Sequence, residues 1–297
     1  MKTLDRALND LLARLFGARV IRTRKLDKLA DRIARAEEQL ARQAERKFRV
    51  LPNSSVANDR ISLLGRLLRP KQAQGVCKVR LGRVHDGGYV CLDDFNDIAA
   101  ALSFGICQNA SWDADVAERG LIVHQYDHSV AGPPIAHANF RFNQRKVAAN
   151  ADSECESIES ILVHNGLMRP ASVILKIDIE HDEWDVFAAA PVDALDKFAQ
   201  VICEFHGFDR INEDRWFKRA LYVLSNLNDR FAVVHVHANN HSPLLAIGNL
   251  LFPETLEVTY ASRAKYTFRD TDEIFPGTLD TANLATATDH DLGKFAY

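Results

Sequence analysis

The run Val173-Ile174-Leu175-Lys176-Ile177-Asp178-Ile179-Glu180, continuing through His181-Asp182-Glu183-Trp184, constrains the fold more than any other stretch. An unbroken, β-branched apolar run that turns abruptly into acids predicts a strand buried on both faces of a parallel sheet. Alternation along a strand puts Lys176, Asp178 and Glu180 on one face and Leu175, Ile177 and Ile179 on the other. Ligands of open α/β sheets bind beyond the carboxyl ends of the strands, which is where these carboxylates emerge.

Two further runs repeat the design. Val201-Ile202-Cys203-Glu204-Phe205-His206-Gly207 pairs Glu204 with His206, and 231–240 pairs His235, His237 and Asn239. Any one of these could be a strand end facing water. Three together predict a shared polar rim.

Around these strands the chain alternates strand, turn and helix from about residue 76. Strands are predicted over 76–80 and 89–92, flanking the turn His85-Asp86-Gly87-Gly88, and over 99–104, 121–126 and 256–260. Helices are predicted over 112–119, 156–165, 183–190 and 213–227. The 256–260 run follows its neighbour without a long helix, which predicts an antiparallel return at the sheet edge. The loops 132–150 and 208–215, rich in Asn, Arg, Phe and His, are expected to select the substrate.

Before that region the character differs. Residues 1–50 hold 14 Lys and Arg against 7 Asp and Glu, leaving 23 against 33 for the remainder. Leucines at helical spacing predict helices over 3–16 and 25–47, divided by Gly17. The domain division is therefore 1–50, a basic helical segment suited to oligomerisation or surface attachment, and 51–297, with a linker at 52–55. The second helix spans about three heptads, so self-pairing in a coiled coil, giving a homo-oligomer, and packing on its own domain stand side by side. Peripheral contact with the inner face of a membrane is a further expectation for a basic leading helix, set against the plainer one of a solvated charged face. No stretch has the apolar length of a membrane span, and charges interrupt the opening residues where a signal peptide would be apolar, so a cytoplasmic location is expected. Five scattered cysteines without a CxxC pair indicate neither a disulfide framework nor a zinc knuckle. An acidic main region excludes nucleic acid as the expected partner.

The turn after the first of these strands carries Gly105 alone, so the G-x-G-x-x-G cradle of a dinucleotide pyrophosphate is missing. The next strand ends at Asp127, an acid placed to accept hydrogen bonds from ribose hydroxyls. A ribose acid without a phosphate cradle suits S-adenosylmethionine; equally, an acid after a strand can begin a turn.

Asp86-Gly87-Gly88-Tyr89, Ser103-Phe104-Gly105-Ile106, Tyr126-Asp127, Leu175 to Glu180 with Glu183-Trp184, Glu204-Phe205-His206, and His237 with Asn239-Asn240 together resemble the FkbM-type methyltransferases. The likeness covers about residues 76–285, and Pro276, Leu279-Asp280 and Asn283 match the tail of the pattern. The sequence departs from it with His181 where the family carries glycine. The resemblance implies an α/β, class I methyltransferase (Rossmann-like) fold: a seven-stranded, mostly parallel sheet with helices on both faces, here preceded by the N-terminal helices. It further implies S-adenosylmethionine as cofactor, Gly105 in the cofactor loop, Asp127 on the ribose, Asp86 and Tyr89 closing the pocket and Asp178 near the methyl donor. O-methylation of a sugar, glycan or glycosylated small molecule is the implied reaction.

Methyl transfer to an alcohol needs the acceptor held in line and its proton removed. His206 or His237 could act as the base with Asp178 orienting it. Alternatively Asp178, Glu204 and His206 could bind Mg²⁺ or Mn²⁺ and lower the pKa of the attacked hydroxyl. A chain that kept the fold and lost the chemistry, working as a scaffold through its basic helices, is the competing class.

Overall fold

The computed structural model describes residues 47–297 and, before them, Ile33. The helices expected over 3–16 and 25–47, with their coiled coil, oligomer and membrane contact, lie outside the described residues. No helix among the described residues is long and apolar enough to cross a membrane.

Seven strands form the central sheet: β1 (Ala100–Phe104), β2 (Ile122–Tyr126), β3 (Phe140–Asn143), β4 (Val173–Ile177), β5 (Phe198–Phe205), β6 (Phe231–Ala238) and β7 (Leu256–Ser262). Their spatial order is β3-β2-β1-β4-β5-β7-β6. Neighbours from β3 through β5 are parallel, and β7 runs antiparallel to both β5 and β6. The strand order reverses between β1 and β4, which makes that crevice the topological switch point.

The apolar runs explain the layering. β1, β4, β5, β6 and β7 are buried at every residue, as expected of strands covered on both faces. Alternate residues divide between two cores. Leu102, Phe104, Leu175, Ile177, Cys203 and Phe205 pack on one face, whereas Ala101, Ile174 and Ile202 pack on the other.

Among the described residues from 47 onward, six α-helices accompany the sheet: α1 (Ser55–Leu67), α2 (Ser111–Glu118), α3 (Ile158–His164), α4 (Glu183–Ala189), α5 (Val192–Leu195) and α6 (Asp214–Arg230). The first face carries α1, α3, α4 and α6. α6 turns Trp216, Ala220, Val223, Leu224 and Leu227 inward at helical spacing. The second face is covered by α2, through Trp112 and Val116, and by the antiparallel pair Lys78–Leu81 and Tyr89–Leu92.

Three expectations change. The return strand β7 is antiparallel, but it lies between β5 and β6 and not at the edge: Leu256, Val258 and Tyr260 pack into the core on one face, and on the other Glu257 and Thr259 are buried on polar partners, Glu257 on His237 and Asn283 and Thr259 on the Val90 carbonyl. The expected loop 132–150 contains β3, the edge strand. The predicted linker ends in a helix: Ser54 caps α1, its hydroxyl accepting from the Ala57 N–H at 3.0 Å.

Candidate active site

Beyond β1, β4, β5 and β6 lies a cleft of about 450 Å³. Gly105 turns the chain out of β1 at φ +74, and a Cβ there would stand 1.7 Å from the Asp178 carbonyl oxygen. Only glycine lets the loop after β1 lie this close to the end of β4. Lys176 Nζ donates to the Gly105 carbonyl and ties the two strand ends together.

Lys176 and Asp178 share a face, as alternation predicts. Lys176 Nζ lies 5.7 Å from the centre of the Tyr89 ring, and the Tyr89 hydroxyl donates to Asp178 Oδ2 at 3.2 Å. Tyr89 is thereby brought to the cleft, and Asp86 lines its rim. The alternation stops there. β4 ends at Ile177, and Glu180 and His181 take left-handed backbone, φ 55 and 79. Glu180 therefore leaves the sheet face, with its side chain 83% exposed. His181 keeps the backbone conformation that glycine would adopt freely, at a cost of about 1–2 kcal/mol for a residue with a Cβ.

Glu183 opens α4 and folds back toward β4. Its Oε1 accepts from the Ile179 N–H at 3.0 Å and meets His206 Nδ1 at 3.1 Å. Its Oε2 is buried without a partner. The next residue, Trp184, donates Nε1–H to the His206 carbonyl at 2.7 Å and stacks on Phe205 at 4.5 Å. His206 is thus held by ring and backbone. Its Nε2 stands 3.6 Å from Glu204 and 3.7 Å from Glu180, beyond hydrogen-bonding reach. Glu204 Oε1 accepts instead from Asn239 Nδ2 at 2.6 Å.

The electrostatics follow from this crowding of acids. Burial raises Asp178 above the usual carboxylate range, opposed by the charges of Lys176 and His206. Burial, then the charges of Asp178 and Glu257, push Glu204 well up. Burial would lower His206, but the Glu183 hydrogen bond and the charges of Glu183, Glu204 and Asp178 outweigh it and push it up to about 9. The cleft thus gathers carboxylates whose charge is costly there and favours a cation beside them.

Two expected site residues are placed elsewhere. Asp127 does not line the cleft. Its Oδ2 accepts from the N–H groups of Ile106 (2.9 Å) and Cys107 (2.8 Å), and its Oδ1 from Ser129 N–H (2.7 Å) and Oγ (2.6 Å). A carboxylate offers about four acceptor positions, so Asp127 as it stands has none left for a ribose. In this structure it pins the loop after β1. These same donors hold its pKa below the usual range against the opposing effect of burial.

His237 is likewise not the open base expected. Nδ1 meets Glu257 Oε2 at 3.1 Å and Nε2 meets Asp289 Oδ2 at 3.0 Å. Burial would lower it, but the Glu257 charge and the Asp289 hydrogen bond dominate and push it up to about 10. A ring with both nitrogens engaged, and protonated at neutral pH, accepts no proton. Cross-strand register places Glu257 between Glu204 and His237, so His237 balances buried acid behind the cleft.

Asp178, Glu183 and His206 each bring one potential ligand atom within 4.8 Å of the others. Glu204, expected in that set, is outside it and Glu183 replaces it. Sequence alternation overlooks Glu183 because it lies past the strand; the usable signal is its place in the first turn of a helix that starts right after the acid cluster. The loops 132–150 and 208–215 contribute nothing to the cleft lining.

No protein-family profile and no curated protein matches the chain. Among solved structures, it is similar to EvdMO1 at 14% identity, over 57% of this chain and 38% of that one, with a TM-score of 0.27. It is also similar to a mutant 16S rRNA (adenine(1408)-N(1))-methyltransferase from Catenulisporales acidiphilia, at 11% identity, over 64% and 100% of the two chains, with a TM-score of 0.27. The chain therefore spans 38% of the length of the first of these structures.

Proposed function

We propose that the protein is an S-adenosylmethionine-dependent methyltransferase acting on a hydroxyl of a sugar, glycan or glycosylated small molecule. The observation that carries this reading is the acid-lined cleft at the switch point of a seven-stranded, mostly parallel sheet. Asp86, Asp178, Glu180 and Glu204 line it, and the loop after β1 has a single glycine where a phosphate cradle would need several. That donor set suits a cationic ligand without phosphate. The FkbM resemblance of the same residues supports the same ligand.

When bound, S-adenosylmethionine supplies an electrophilic methyl group. Gly105 lets the loop after β1 pass close to Asp178, and Tyr89 fixes the Asp178 carboxylate with its hydroxyl. Asp178 and Glu204 favour positive charge in the cleft. Of the two devices that could remove the acceptor's proton, the base is His206, oriented by Glu183 and, being pushed up to about 9, able to accept a proton only after giving up its own; the cation would be held by Asp178 and His206. His206 offers Nε2 toward the cleft while Nδ1 is held by Glu183.

The test is calorimetric titration of the wild type and Asp178→Asn with S-adenosylmethionine and S-adenosylhomocysteine. Both should bind the wild type, and the substitution should weaken the cationic ligand more than the neutral thioether. Folded wild-type protein that binds neither would refute the cofactor and leave the scaffold reading. With binding established, methyl transfer to a panel of sugars, read by mass spectrometry, tests the acceptor class.

A further inference from the structure

Glu183 combines two properties that a purely structural helix-start acid does not need. Its carboxylate has no solvent exposure, and Oε2 has no hydrogen-bond partner. Leaving a buried acceptor unmade costs about 1–3 kcal/mol, and more when it is charged. The acid also stands in a crowd: Glu180, Glu183 and Glu204 all face one imidazole at 3.1–3.7 Å, and Asp178, bonded to the Tyr89 hydroxyl at 3.2 Å, has the Lys176 ammonium at 4.0 Å. Positive charge is short at this point.

We propose that Asp178, Glu183 and His206 form a binding site for a divalent first-row metal cation whose remaining coordination positions face the cleft. The three potential ligand atoms lie within 4.8 Å of one another, a separation from which small side-chain shifts reach ligand distances of about 2.0–2.2 Å around a common ion. Asp178 and His206 line the cleft, whereas Glu183 lies behind them. Three protein ligands with an open side is the arrangement of a catalytic and not a structural metal site. Two carboxylates and an imidazole suit Mn²⁺, Fe²⁺ or Zn²⁺ better than Mg²⁺ or Ca²⁺, which prefer all-oxygen sets. The ion gives the orphaned Glu183 Oε2 a partner. With the cation seated, His206 serves as a ligand and not as the base; the cation would lower the pKa of an acceptor hydroxyl entering from the cleft, whose proton passes to water on the open side as the oxygen takes the methyl group. This role rests on the proposed methyl transfer; the site itself does not.

The experiment is Mn²⁺ titration of the chelator-treated full chain, followed by electron paramagnetic resonance of the free ion, without cofactor or acceptor. The wild type is expected to bind one Mn²⁺ saturably. Glu183→Gln should raise the dissociation constant at least about tenfold, the scale on which metal-site groups act, and Glu204→Gln should raise it less. Should Glu183→Gln melt below the assay temperature, Asp178→Asn carries the same expectation. Absence of saturable binding by the wild type, or wild-type affinity in the folded ligand variants, overturns the site. Because the titration contains no S-adenosylmethionine, its failure and a failure of the cofactor titration are read separately.

Discussion

Replacing Asp127 with alanine separates two jobs that one carboxylate could do. In the structure it is buried to 6% exposure and receives four hydrogen bonds, two of them from the Ile106 and Cys107 N–H groups of the loop that Gly105 opens. Alanine leaves those two donors unpaired. At about 1–3 kcal/mol for each buried donor left unmade, and with the Cys107 position nearer solvent, the loss is about 2–5 kcal/mol. For a chain of this size each kcal/mol moves the melting temperature by about 2–4 °C, so a drop of roughly 4–20 °C follows. A ribose-binding acid would behave in the opposite way, since its removal abolishes nucleoside binding and leaves the unliganded protein's melting point alone. Scanning calorimetry of the ligand-free variant decides. A melting point within about 2 °C of wild type, together with lost S-adenosylhomocysteine binding, would refute the loop-pinning argument and return Asp127 to the ribose.

Three further perturbations test the rest of the framework. His237→Gln removes the cation between Glu257 and Asp289, and breaking a buried pair of this kind costs about 3–5 kcal/mol, measurable by urea unfolding at pH 7. His237 is pushed up to about 10 in the folded protein from about 6.5 when unfolded, so its stabilisation is complete below the lower value and fades as pH rises toward the upper. The urea midpoint should fall across that window and fall less in His237→Gln, with His206, pushed up to about 9, keeping part of the slope; equal slopes would contradict the assignment. Gly105→Ala puts a methyl group 1.7 Å from the Asp178 carbonyl oxygen at a φ of +74, and should displace the loop enough to abolish S-adenosylhomocysteine binding by calorimetry. Trp184→Phe keeps an aromatic ring against Phe205 but leaves the His206 carbonyl without its donor; thermal unfolding should show a loss of about 1–3 kcal/mol, and an unchanged melting point would mean that this bond does not hold His206.

The strands were the legible part, for a physical reason. β1, β4, β5, β6 and β7 are buried on both sides, so their sequences are apolar runs that stand out from any surrounding. β3 lies at the edge as Phe140-Arg141-Phe142-Asn143, half polar and indistinguishable in sequence from the loop it was expected to be. α1 does not stand out in the sequence, because Ser54 reads equally as linker and as helix cap. Within the cleft, period-two alternation pairs Lys176 with Asp178 and Glu204 with His206, and all four line it. It failed one residue past the strand, at Glu180, where a left-handed turn replaces the pleat. It could not find Glu183, whose position depends on how a helix starts, nor tell that Asp127 and His237 face inward on partners, since Ser129, Glu257 and Asp289 declare nothing in sequence about whom they will meet.

The placement of β7 also orders the birth of the fold. Within the central sheet, β6 pairs only with β7, and β7 is the last of its strands to be made. A growing chain that has emitted β1 through β5 can assemble the parallel part of the sheet, yet residues 231–238 have no seat until residue 262 has followed. During synthesis the edge of β5 therefore stays unpaired and apolar, the kind of surface on which nascent chains aggregate. A chain shortened before residue 256 would forfeit two strands at once, losing Glu257 outright and with it the pairing that seats His237 behind the cleft.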